Sequence, residues 1–330
     1  MIKLPSDFKN YLHSHPLVVI TPINRYLGFS TTIQPTDQFK QAADEIGIEV
    51  MFKDPQKIII ETGADLKPRL VDESGVIDGS VYFPFGHDLL DRNMTKLIIM
   101  AAEANNAKVV NNSHCLTIND DKAMFAISLS NSGTKSAMSW ICSARAPFDT
   151  ILDNNPSLQS SKYLIGKTSG FTAGGVGIQP LPPHINYIAP FNWSSRSDSR
   201  PKIIQNNISV QRDNPRNKVI RTYVVGGKVI GSYYTEGEGI VNCAGLAREP
   251  KSGVFKLSDL QNKKLIAAAN AVGATGFSRI DSTDEKEPAI FEINPLARID
   301  ADAHGFSVAK SILEYMLDLA KNKFYKENHE

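Results

Sequence analysis

The chain of 330 residues carries 36 Lys and Arg against 35 Asp and Glu, a formal net charge of +1, which excludes a general field drawing it to nucleic acid or an acidic membrane. Its longest apolar run, Leu97 to Ala102, is far too short to span a bilayer, and the opening MIKLPSDFKN lacks the apolar segment of a secretion signal, so the expected location is the cytoplasm. Cys115, Cys142 and Cys243 are scattered without CxxC spacing, which indicates neither a disulfide framework nor a zinc site, and the length suits two or three domains.

The first third alternates extended and helical patterns. PLVVITPI, from Pro16 to Ile23, reads as a buried strand. Thr36 is placed to cap a helix with Phe39, Ala42, Ala43 and Ile46 on one face. EVMF, KIIIET and SVYFPF are strand-like, Asn93 to Asn105 has helical periodicity, and KVVNN is again extended. Alternation of this kind predicts an α/β fold beginning with an open parallel-sheet domain, residues 1–114.

From Cys115 to Asn206 a helical piece holding Asp121 and Lys122 precedes the strand KYLIGK, the loop SGFTAGGVG and the extended QPLPPH. The last part, 207–330, opens with VIRTYVVGGKVIGSYY, two β-rich runs around Gly226-Gly227 that signal a hairpin. A helix then runs from an N-cap at Ser258 to a stop at Gly273. GFSRID and AIFEIN follow, joined by STDEKEP, and Val308, Ile312, Met316 and Leu319 mark a closing amphipathic helix.

Two stretches carry chemistry. In AIFEIN, Glu292 and Asn294 are two residues apart and share one face of an extended chain. A turn centred near Lys286 sets Asp281 across from Glu292, so three hard oxygen ligands converge, a set suited to Mg²⁺ completed by water and phosphate. The glycine loop is neither a P-loop, because Ser161 stands where glycine is required before GKT, nor a Rossmann turn, because the prolines after it keep the chain extended. What remains is a hairpin whose tip can fold over phosphates through backbone N–H groups, with Lys167 at its base.

Read in order, NDDKAMF, YLIGK, SGFTAGGVG, IIQNNI, VIRTYVVGGKVIGSYY, GFSRID and FEINP resemble the ATP-grasp ligases, especially the ribosomal-protein glutamate ligase and glutathione synthetase branch. The resemblance covers residues 111–294 and implies a two-subdomain, α+β ATP-grasp module, with 115–206 as the lid subdomain and 207–330 as the C-terminal subdomain bearing the metal site. It implies that Lys122 and Lys167 hold ATP, that Gly170 to Gly177, with Gly174 and Gly175, form the mobile lid, and that Gln205, Asn206, Asn207 and Ile208 form the hinge against adenine. Arg221 is then the arginine on the transferred phosphoryl, and Asp281, Glu292 and Asn294 are the ligands of Mg²⁺, for which Mn²⁺ can substitute.

The chain departs from that pattern in three places. Val219 and Ile220 stand where an acidic residue usually precedes the arginine, Thr235 stands where an arginine often follows the second hairpin strand, and NPLAR replaces the commoner Asn-small-Pro-Gly run. Arg248 and Arg298 are the two candidates to supply the missing charge.

The implied reaction is phosphorylation of a carboxylate by ATP, then attack of an amine on the acyl phosphate. Acceptor recognition is expected beyond the carboxyl ends of the first-domain strands, at Asn24 and Arg25 and at His87 and Asp88. The partners are therefore small-molecule or peptide carboxylates and amines, with no nucleic acid or membrane, and a two-fold dimer is the base expectation. A small-molecule kinase and a non-catalytic nucleotide-binding protein are the alternatives.

Overall fold

A computed structural model of the chain describes residues 4–21, 35–64, 66–85, 92–143, 155–156, 164–168, 178–181, 201–206, 216–238, 251–297, 299 and 304–329. The architecture is α/β, with a parallel sheet at the start and antiparallel sheets after it. Strands β1 (Leu17–Ile20), β2 (Val50–Lys53), β6 (Val81–Pro84) and β7 (Lys108–Val109) form the parallel sheet in the order β2-β1-β6-β7. Every residue of β1 and β6 is buried, as expected where helices cover both faces of a parallel sheet. Helices α1 (Ser6–Ser14), α2 (Pro35–Ile46) and α3 (Arg92–Ala104) belong to this part.

Three details differ from the sequence reading. KIIIET does not join the parallel sheet: β3 (Ile59–Gly63) pairs antiparallel with β4 (Leu66–Asp72), which pairs with the short β5 (Gly75–Val76). Only residues 64 and 65 separate β3 from β4, and Glu73 and Ser74 separate β4 from β5; strands joined this closely form hairpins, which are antiparallel by necessity. Helix α2 starts at Pro35, so Thr36 lies in its first turn and does not cap it; proline is favoured at a first helical position. Helix α1 was not foreseen.

The antiparallel part consists of two sheets. One, ordered β10-β9-β11-β8, is made of β8 (Ser139–Cys142), β9 (Leu164–Thr168), β10 (Ile178–Leu181) and β11 (Lys202–Asn206). The other holds β12 (Arg216–Val225), β13 (Lys228–Glu238), β14 (Lys251–Val254), β15 (Phe277–Ser282) and β16 (Ile290–Asn294), ordered β14-β13-β12-β15-β16. Gly226 and Gly227 turn β12 into β13 with φ of 56° and 73°, the left-handed pair that a two-residue type I′ hairpin demands.

Helices α4 (Ser113–Asp120), α5 (Lys122–Asn131) and α6 (Asp259–Ala271) pack on one face of the five-stranded sheet, joining Leu129, Leu265 and Ala268 to Val224, Ile280 and Ile293. Helix α6 starts in a capping box between Ser258 and Gln261 and stops before Gly273, whose φ is 69°. Helix α7 (Val308–His329) buries Val308, Ile312, Leu313, Met316 and Leu317 in a core shared with β1, α2 and β6 and with Tyr223 and Phe277 of the five-stranded sheet. Phe83 meets Phe277 edge to face, ring centroids 5.5 Å apart. Among the described residues no helix is long and apolar enough to cross a membrane.

Candidate active site

The five-stranded sheet brings four polar side chains into one transverse row. Tyr233 on β13 lies opposite Arg221 on β12, Arg221 opposite Asp281 on β15, and Asp281 opposite Glu292 on β16. Directly opposed residues project to the same face, and with strands about 4.8 Å apart the row spans about 14 Å. One pleat along, on the same face, Asn294 lies opposite Arg279, Arg279 opposite Tyr223, and Tyr223 opposite Gly231. The expected pairing of Asp281 with Glu292, and of Asn294 one pleat further, is present.

Asp281 is the electrostatic hinge of the row. Arg279 Nε donates to its Oδ1 at 3.1 Å, and Arg221 Nε lies 3.7 Å from its Oδ2, with all three side chains between 11% and 14% exposed. Arg221 thus finds its carboxylate on the neighbouring strand, not at Val219 or Ile220 beside it. Arg279 is a site residue that the sequence reading passed over; its spacing of two from Asp281 was the available signal, since two residues along a strand share a face.

Glu292 is exposed and Asn294 is 4% exposed, with Asn294 Oδ1 accepting the Leu296 N–H at 3.0 Å. That bond ties down the turn after β16, and an amide oxygen carries two lone pairs. On the far side of Glu292, burial pushes the Arg92 guanidinium at the start of α3 below its usual value, and Asp120, which accepts a hydrogen bond from Arg92 Nε, and Glu292 offset the effect.

The donor set fits a hard divalent cation shared with phosphates. Two carboxylates across one strand pair and an amide oxygen are too few for an all-protein cage, and among the described residues no group of three or more His, Cys, Asp or Glu stands together. Mg²⁺ prefers such sparse protein ligation, completed by water and phosphate oxygens. Incoming phosphate charge would also share Arg221 and Arg279 with Asp281.

Lys122 opens α5, where Asp121 caps the helix by accepting from the N–H groups of Ala123 and Met124. Lys167 lies on β9 opposite Ile178 of β10 and Ile203 of β11, within a strand as its sequence context suggested. Gln205 and Asn206 end β11, and Gln205 Nε2 donates to Ser139 Oγ at 2.8 Å. Asn24, Arg25, His87, Asp88, Gly170, Gly174, Gly175, Asn207, Ile208, Arg248 and Arg298 lie outside the described residues.

No protein-family model matches the chain, and no curated protein matches it. Solved structures do. The ATP-grasp ligase PsnB complexed with its minimal precursor aligns with a TM-score of 0.66 at 13% identity, covering 92% of this chain and 98% of that one. The D-cycloserine synthetase DcsG aligns with a TM-score of 0.65 at 13% identity, covering 92% and 99%. The D-alanine–D-alanine ligase of Bacillus anthracis complexed with ATP aligns with a TM-score of 0.62 at 14% identity, covering 95% and 99%. Likeness at this level of identity establishes a shared fold.

Proposed function

We propose that this chain, built on the fold of the ATP-grasp ligases, is an ATP-dependent, ADP-forming ligase that joins a carboxylate to an amine through an acyl phosphate. The observation that carries the reading is the row Arg221, Asp281 and Glu292, which puts a cation beside two opposed carboxylates on one sheet face. A neighbour solved with Mg and ADP and another solved with ATP support ATP as the co-substrate and Mg²⁺ as the metal, with Mn²⁺ able to substitute.

Asp281, Glu292 and Asn294 would hold the metal. When bound, it supplies positive charge that offsets the phosphates and the charge developing on the transferred phosphoryl. Arg221, drawn from Asp281, stabilises the same phosphoryl, and Arg279 keeps Asp281 oriented. Lys122 and Lys167 hold ATP, residues 170–177 close over it and exclude water, and 205–208 read the adenine edge. Arg298 and Arg248 are the candidates for the charge missing at Thr235.

The carboxylate and amine are small molecules or peptides; PsnB and the macrocyclase MdnC were solved with precursor peptides, which supports a peptide as one option. β1 and β6 are adjacent parallel strands, and open α/β sheets bind ligands beyond the carboxyl ends of their strands, which supports Asn24 and Arg25, next in sequence after β1, and His87 and Asp88, next after β6, as the residues that read the acceptor. The division 1–114, 115–206 and 207–330, a cytoplasmic location, a homodimer and the absence of nucleic-acid or membrane partners complete the reading.

The test is ADP release against pooled carboxylates, with and without amino acids, followed by hydroxylamine trapping. An acyl phosphate becomes a hydroxamate when the natural amine is withheld. A stable phosphate ester with no hydroxamate and no amine dependence would replace the ligase by a kinase.

A further inference from the structure

Tyr233, at the end of the polar row, is 3% exposed, and its hydroxyl has no hydrogen-bond partner among the described residues. A buried hydroxyl left unpaired costs about 1–3 kcal/mol, so native proteins seldom keep one without a ligand or water to meet it. The ring of His304 stacks on the Tyr233 ring with centroids 4.4 Å apart and planes 23° apart. The Arg221 guanidinium lies 6.0 Å from the same ring centroid.

The segment carrying His304 is held firmly. Two residues on, Phe306 packs where Gly231 has no side chain; a Cβ there would stand 2.5 Å from the Phe306 ring. Val308, at the start of α7, is fully buried. Gly231 shares its strand and face with Tyr233, so one strand fixes both rings.

We infer that Tyr233 and His304 form the seat of the attacking amine, with the Tyr233 hydroxyl binding it and a His304 ring nitrogen taking its proton. The inference rests on the ligase reading. It follows from order along the row: Glu292 and Asp281 lie on one side of Arg221, and Tyr233 on the other. Strand spacing puts Tyr233 about 10 Å from Asp281. A phosphoryl held by Arg221 and the carboxylate side therefore leaves the Tyr233 side for the nucleophile.

The charge around the seat favours this role. Arg221 disfavours a cation beside it, so an amine enters more readily uncharged than as ammonium. Among the described residues, charged groups on the neighbouring elements include Arg221 and Arg279 with Asp281 on the sheet, and Lys310, paired with Glu45 at 3.3 Å, on α7 and α2. In the step, imidazole takes the extra proton of the incoming ammonium, the freed lone pair forms the C–N bond at the acyl carbon, the C–O bond to phosphate breaks with its electron pair leaving on phosphate, and the second proton lost from nitrogen leaves with that phosphate.

The experiment uses the full chain with the carboxylate and amine that give the fastest ADP release, and hydroxylamine as a nucleophile already uncharged at neutral pH. His304→Gln should form hydroxamate at close to the wild-type rate. Its amide formation should fall about a hundredfold at neutral pH and recover as pH rises towards the pKa of the amine. Tyr233→Phe keeps the stack and should raise the amine KM about three- to tenfold, with no fall in thermal midpoint. Wild-type amide rates and pH profile in His304→Gln would overturn the assignment, as would loss of hydroxamate and amide together, which would place His304 in acyl phosphate formation. If the wild type itself forms no hydroxamate, the ligase reading fails and this one with it.

Discussion

The side-chain amide of Asn111 donates to the Phe277 carbonyl at 2.7 Å while its Oδ1 accepts the Phe277 N–H at 3.1 Å, a clasp between residues 166 positions apart. The same amide reaches the Pro295 carbonyl at 3.1 Å, and Asn111 is 1% exposed. Two residues after the end of β7, Asn111 thus fastens the start of β15 and the turn after β16, the two strands that carry Asp281, Glu292 and Asn294. Gly276 makes the approach possible, since a Cβ there would stand 1.4 Å from the Val110 carbonyl oxygen.

Asn111→Ala should lower the unfolding free energy by about 3 kcal/mol, because buried backbone groups on two strands lose their partner. Gly276→Ala should do at least as much, through a clash with main chain that cannot rotate away. Chemical denaturation measures both. A change below about 0.5 kcal/mol for Asn111→Ala would show that water replaces the clasp at little cost.

The two carboxylates of the row should separate stability from metal binding. Both Glu292→Ala and Asp281→Ala should abolish metal-dependent nucleotide binding, measured by titrating Mn²⁺ with an ATP analogue. Only Asp281→Ala should also cost about 1–3 kcal/mol of stability, since it strips the carboxylate from two arginines 11% exposed. Glu292, exposed at the strand surface, should be silent in the melt. Unchanged Mn²⁺ binding in either variant would remove that residue from the metal set.

Gly231→Ala should act at a distance from the phosphates. The new methyl displaces the Phe306 ring and with it the segment holding His304 against Tyr233. Metal-dependent nucleotide binding should persist while the apparent amine KM rises. Equal loss of both would mean that the sheet itself has shifted.

Lys53 at the end of β2 and Asp72 at the end of β4 make stability depend on pH. Burial alone would raise the Asp72 carboxyl, but hydrogen bonds from Lys53 at 2.6 Å and from Ser74 outweigh it and hold the group below its usual value. A depressed carboxylate contributes fully above its unfolded pKa, roughly 4, and loses that contribution as pH falls through the lower folded value. Lys53→Met should therefore lower stability by about 1–3 kcal/mol near neutrality, and the gap should narrow in acid. Urea midpoints at neutral and acid pH check this; an undiminished gap in acid would assign the loss to packing.

Local order was readable in the residues. The two-residue spacing of Glu292 and Asn294, the short turn that sets Asp281 across from Glu292, the glycine pair between β12 and β13, and the Ser258 cap all depend on neighbours in the chain, whose geometry strand and helix periodicity dictate. The ATP-grasp fold was expected from a resemblance in the order of motifs, and the solved structures bear out that fold. The register of β12 against β15, which hands Asp281 to Arg221, is of another kind: it depends on which faces α5, α6 and α7 bury, since a slip of one residue would turn every side chain to the opposite side. The same holds for the Tyr233 and His304 stack and for the Asn111 clasp. Each joins segments whose pairing no local pattern specifies, so only the packed tertiary structure decides it.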